Sequence, residues 1–139
     1  MTGSEAEREN YNELAYYTLA LGDEAFIHQY IVDAFAAQTA DDTMKPIALT
    51  FALVGLYFHL KKGYSGKAVQ RLHSLMAQKK REWPRFELPE DRGAVTAADV
   101  VAAAPGPERN AMIDAWCASV WGAYRGSHAR VAGLAREWG

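Results

Sequence analysis

Four histidines, His28, His59, His73 and His128, are the side chains best suited to chemistry, and each falls on a different predicted helix. Helical bundles build metal sites from side chains on facing helices, and neutral imidazole is the commonest protein ligand. His28 shares a helix face with Glu24, Val32 and Phe35, and His128 lies between Tyr124 and Val131 in an apolar stripe. Those two are expected to point inward, with Glu24 and Tyr124 lining the space beside them. His59, one turn from a helix end, or His73, at the edge of its stripe, would supply a third ligand to a divalent metal. A site with open coordination positions suits a hydrolase or a transferase. The sequence holds no H-E-x-x-H, no E-x-x-H pair and no Cys/His cluster to support it. A histidine on an apolar face is first of all a hydrogen-bonded core residue, so no catalytic residue is assigned.

Two carboxylates add to the set. Asp33 sits about 140° around its helix from His28, at roughly 100° per residue, and so shares a face with Tyr30 instead. Asp114 lies between Ile113 and Trp116. A carboxylate in such a setting is rarely buried unpaired, and Arg71, Arg125 or a tyrosine hydroxyl are the expected partners. Nucleophilic catalysis has little support. Cys117 is mid-helix among apolar neighbours, where a thiol is inert. There is no G-x-S-x-G or G-x-G-x-x-G, and Ser65-Gly66-Lys67 lacks the earlier glycine of a phosphate loop.

One basic cluster stands apart: Lys79, Lys80, Arg81 and Arg85, with Trp83 and Phe86 interleaved. Cations and aromatic rings together suit nucleic acid, and weak binding through residues 79–86 is one reading. Glu82, Glu87, Glu90 and Asp91 dilute the charge. The cluster is therefore expected to be a solvated helix end, and nucleic acid is not the expected partner.

These residues need elements to hold them. The chain has 139 residues, half of them hydrophobic, and a formal net charge of −2. That suits one domain, 1–139, with a core of its own. It offers no global field toward nucleic acid or anionic lipid. Cys117 is the sole cysteine, which excludes an intrachain disulfide and suits the cytoplasm. The polar residues 1–10 lack a signal-peptide core and are expected to be partly disordered. The apolar run Ile47 to Phe58 is too short for a membrane span of about 20 residues.

Helix signals recur along the chain. Ser4 with Glu7 has capping-box spacing before a helix ending near Leu21-Gly22. Asp23 can cap a second helix, Glu24 to Gln38. Pro46 marks the start of a third near Met44, which ends at Lys61-Lys62-Gly63. Ser65 caps a fourth, reaching about Lys80. Residues 81–95 form an ordered loop pinned by Trp83, Phe86 and Leu88. Thr96 and Asp99 open a short helix to about Ala103, and Pro107 opens a last one running to Trp138. No strand alternation appears. The expected fold is all-α: an antiparallel helical bundle of about five helices with a long C-terminal helix.

That last helix carries a second stripe, of small residues: Ala111, Ala115, Ser119, Gly122, Gly126, Ala129 and Gly133. Three glycines in a helix interior cost roughly 1 kcal/mol each against alanine. Close backbone approach would offset that cost. The expected neighbour is another helix of the same chain, and the alternative is a homodimer seam through Ser119, Gly122, Gly126, Ala129 and Gly133.

Several phrases resemble a family of bacterial all-helical proteins, a domain of unknown function. They are His28 to Gln38 (HQYIVDAFAAQ), Val95 to Val100, Trp116 to Trp121 and Ser127 to Val131. The resemblance spans about Tyr11 to Val131. It implies a helical fold, histidines at the positions of His28 and His128, and an acid and an amide at Asp33 and Gln38. This chain departs from the pattern in lacking a cysteine-rich start. It has Thr39 where relatives carry a histidine, and Ser127-His128 where they pair two. If those extra histidines are ligands, this chain holds no metal. The resemblance assigns no activity. The expected role is a small cytoplasmic interaction or ligand-binding protein, ligand unknown, which self-associates if the small-residue stripe is the alternative homodimer seam. The rival is the divalent-metal enzyme.

Overall fold

The computed structural model describes residues 2–138, and side chains from Glu5 onward. The Ser4 side chain, and with it the expected capping box to Glu7, lies outside the described residues. The described chain is all-helical: α1 (Thr2–Leu21), α2 (His28–Gln38), α3 (Pro46–Lys62), α4 (Gly66–Ala77), α5 (Ala97–Ala102), α6 (Pro107–Ala123) and α7 (His128–Ala135). Among the described residues there is no strand, and no helix is long and apolar enough to cross a membrane.

Local chemistry sets most boundaries. Gly22 and Gly63 adopt φ of +56° and +68°, which glycine tolerates without a Cβ penalty, and end α1 and α3. The Ser65 hydroxyl accepts from the Ala68 N–H at 3.1 Å and caps α4. Asp99 Oδ2 accepts from the Thr96 N–H at 2.9 Å and opens α5. Pro46 and Pro107 stand in the first turns of α3 and α6.

The described chain has seven α-helices where about five were expected, and two helices differ in extent. The second helix starts at His28 instead of Glu24, because Asp23 caps a turn: its Oδ2 accepts from the Ile27 N–H at 3.1 Å. Phe26 in that turn takes a left-handed φ of +55°. The C-terminal helix is also not continuous. It breaks at Tyr124, continues as a 3-10 turn over Arg125–Ser127, and resumes as α7. An unbroken helix would bring the Arg125 N–H to the Trp121 carbonyl. That carbonyl accepts instead from the Tyr124 N–H at 3.0 Å and from His128 Nε2 at 2.7 Å. The Tyr124 hydroxyl is drawn into the core and donates to the Ala37 carbonyl at 2.6 Å.

Helix α3 is buried nearly all round, from Leu49 through Phe58, as its continuous apolar run requires. It packs on α2, α4, α6 and α7, while α2 also packs on α1, α4 and α6. The core contains Leu14, Ile31, Leu53, Leu56, Met76, Ile113 and Trp116.

Residues 79–96 carry no helix, and side-chain bonds hold them. The Gln38 amide donates to the Val95 carbonyl at 2.8 Å, and its oxygen accepts from Trp116 Nε1 at 2.9 Å. Arg92 Nη1 donates to the Ala40 carbonyl at 2.8 Å and the Gln38 carbonyl at 3.2 Å, beyond the C-terminal end of α2, where a cation is favoured.

Candidate functional site

Each histidine has a hydrogen-bond partner of its own. His28 Nδ1 lies 2.9 Å from the Thr18 hydroxyl, which also bonds the Leu14 carbonyl at 2.9 Å. Thr18 has one proton and a carbonyl only accepts, so His28 donates. Burial lowers its pKa. His128 stacks on Trp121, ring centroids 4.0 Å apart, and donates to that residue's carbonyl. The two histidines thus bond to partners on different elements, each through one ring nitrogen. Glu24 is exposed in the α1–α2 turn. Among the described residues, no group of three or more His, Cys, Asp or Glu side chains is placed to hold a metal ion.

The remaining candidates form two constellations. In the first, His59 Nε2 donates to Asp114 Oδ1 at 2.9 Å, and the Tyr30 ring stacks on the imidazole at 3.6 Å. Asp114 is 60% exposed, so it pairs at the surface with a histidine and not with Arg71, Arg125 or a tyrosine. The Tyr30 hydroxyl donates to the Tyr64 carbonyl at 2.8 Å, and burial pushes its pKa up to about 12. Cys117 is buried, and burial raises its thiol well above the ordinary value.

The second constellation is buried between α2, α3 and α4. Gln29 Nε2 donates to Asp33 Oδ1 at 3.1 Å and lies 3.4 Å from His73 Nδ1. His73 Nε2 donates to the Phe51 carbonyl at 2.8 Å. A carbonyl only accepts, so the proton sits on Nε2 and Nδ1 is free to accept from Gln29. Desolvation raises the Asp33 pKa well above the carboxylate range and lowers that of His73. Both groups therefore favour their neutral forms. Gly55 makes this possible. A Cβ there would overlap Asp33 Oδ2 and meet His73 Nε2 at 3.1 Å.

The other expected site residues serve packing. Gln38 and Tyr124 tie α2 to the 79–96 segment and to the end of α6, as described above. The small-residue stripe is not an intrachain crossing. A Cβ at Gly122 or Gly126 would have no atom within 4 Å, and at Gly133 it would meet only Arg136 at 3.4 Å. Ser119 is the exception, since Gly93 packs so closely on it that a Cβ at position 93 would come within 2.5 Å of its Oγ. Ala129 is exposed.

The basic cluster gains most from the fold. A surface groove of about 520 Å³ is lined by Lys45, Lys79, Lys80, Arg81, Arg85 and Trp83, with Glu82 as its one acid. Lys45 lies far from the others in sequence, and no local pattern marks it. It sits immediately before Pro46, at the N-terminal, electropositive end of α3. Lys79 and Lys80 follow the C-terminal end of α4. Thr50 Oγ1 donates to the Pro84 carbonyl at 3.2 Å and pins the segment to α3. The Trp83 ring meets Phe51 edge-on at 5.4 Å, and Phe51 stacks on His73 at 5.2 Å. An adjoining groove of about 340 Å³ shares Lys79, Lys80 and Arg81 and adds Glu137 and Trp138. The Arg81 guanidinium lies 4.8 Å over the Trp83 ring.

The model of a family of unknown function, DUF5946, matches residues 4–125. The chain belongs to that family. The match includes α2, the His59–Asp114 pair, the Asp33–Gln29–His73 network and the lysine and arginine side of the groove. It stops before His128, Glu137 and Trp138. No curated protein and no solved structure matches the chain.

Proposed function

We propose that this member of the DUF5946 family is a small ligand-binding protein whose site is the basic groove around Trp83. Its ligand is anionic and carries a flat ring, as a nucleoside phosphate does. The observation that carries this reading is the gathering of five cationic side chains about one tryptophan in a chain of formal net charge −2. Phosphate oxygens match the arginine fork and the lysine point charges, and a ring offers stacking area to the guanidinium and the indole. The reading stands ahead of the divalent-metal enzyme. The bonds of His28 to Thr18 and of His128 to the Trp121 carbonyl each occupy one ring nitrogen and point to no shared ligand.

Titration with adenosine triphosphate, followed by tryptophan fluorescence and calorimetry, tests the proposal. Saturable binding that weakens with added salt is expected, with loss in the K79E/K80E pair and a weaker complex in W83A. Inorganic triphosphate binding as tightly as the nucleotide would remove the ring from the reading. Absence of binding at millimolar nucleotide would remove the site.

A second reading concerns self-association. Gly122 and Gly126 are exposed with no atom near their Cβ positions, which leaves that face free for a second copy. Light scattering on the wild type tests it.

A further inference from the structure

We infer that Glu137 is an internal competitor for the groove, holding the guanidinium that the anionic group of the ligand must take. The inference rests on the reading of the groove given above and adds a residue that sets its affinity. Arg81 Nη1 donates to Glu137 Oε1 at 2.7 Å, across 56 positions of sequence. Arg81, with Lys79 and Lys80, also lines both grooves. Its guanidinium carbon lies 4.8 Å from the centre of the Trp83 ring. A guanidinium presents its N–H donors in one planar fork, and a carboxylate and a phosphate use the same fork. Ligand and Glu137 therefore compete for one donor set.

The pair is built to open. The Arg81 and Glu137 side chains are 34% and 49% exposed, and exposed ion pairs contribute only about 0.2–1 kcal/mol. Glu137 stands beyond α7, in a turn closed by the Glu137 N–H to the Leu134 carbonyl at 3.1 Å. The carboxylate can swing away without unwinding a helix. Lys79 and Lys80 remain beside the freed position.

The test is calorimetric titration of adenosine triphosphate, without metal, into the wild type, E137Q, R81A and R81A/E137Q. E137Q should bind about two- to fivefold tighter than the wild type, the factor an exposed pair of this kind supplies. The gain should vanish in the R81A background. If the wild type binds and E137Q binds equally or more weakly, the competitor role is overturned. The same holds if the gain persists in full without Arg81, since removal of one negative charge would then explain it. If neither the wild type nor E137Q binds, the groove reading itself falls and this inference falls with it. Melting temperatures of all four proteins confirm that each is folded.

Discussion

The Asp33 carboxyl occupies the space in which a side chain at position 55 would have to sit. Oδ2 lies against the glycine backbone, and His73 Nε2 is 3.1 Å from the point a Cβ would take. A glycine in the middle of an apolar helix is thereby explained by a residue 22 positions earlier in the chain.

Substitution of Gly55 by alanine should therefore destabilise the protein by about 1–3 kcal/mol, the usual cost of overpacking a dense core. G122A should do the reverse, because that helical glycine is exposed with open space around it. There alanine should stabilise by up to about 1 kcal/mol through backbone propensity. Thermal melts of the two variants should shift in opposite directions, and a shared sign would contradict the packing described.

The buried carboxyl makes a second prediction. Its pKa is raised in the folded chain, so the folded state binds its proton more tightly than the unfolded one. That contribution is whole below the unfolded value near 3.8 and is lost as pH rises through the folded value. D33N keeps an acceptor for Gln29 and has no charge to bury. It should be more stable than the wild type at pH 8, and the difference should shrink as the buffer is acidified.

His28 and His73 give the opposite slope. Burial lowers both pKa values from 6.5, so the unfolded chain takes up protons first. Their contribution is complete above pH 6.5 and declines as pH falls toward the folded values. In D33N, which lacks the opposing carboxyl, urea midpoints should drop between pH 7 and pH 5. With H73Q added, whose amide can still donate to the Phe51 carbonyl, the drop should be shallower.

Hydrogen bonds of similar length should differ in worth. Q38A leaves Trp116 Nε1 without its acceptor, and Trp116 is fully buried. Its cost should be about 1–3 kcal/mol. D114N disturbs a bond of the same 2.9 Å length to His59, but Asp114 is 60% exposed. Its cost should stay below about 1 kcal/mol. Chemical denaturation of both variants reads the difference directly.

Local chemistry alone decided the helical class, most element boundaries and the family resemblance. Proline in a first turn, glycine after a last turn and serine or threonine as a cap act over a few residues, so their spacing can be read directly. The break at Tyr124 has no such local mark. It depends on Tyr124 reaching the Ala37 carbonyl and on His128 taking the Trp121 carbonyl, and the first of these joins residues 87 positions apart. The histidines show the same division. Periodicity places His28 and His128 on inner faces, but the atom each imidazole meets depends on how neighbouring helices approach. The groove is the clearest case. Lys79 to Arg85 are visible as a diluted basic run, while Lys45 and Glu137 join them only through the fold. Charge acts through space with a range of several ångströms, so a chain that looks balanced in order can be strongly one-sided in place.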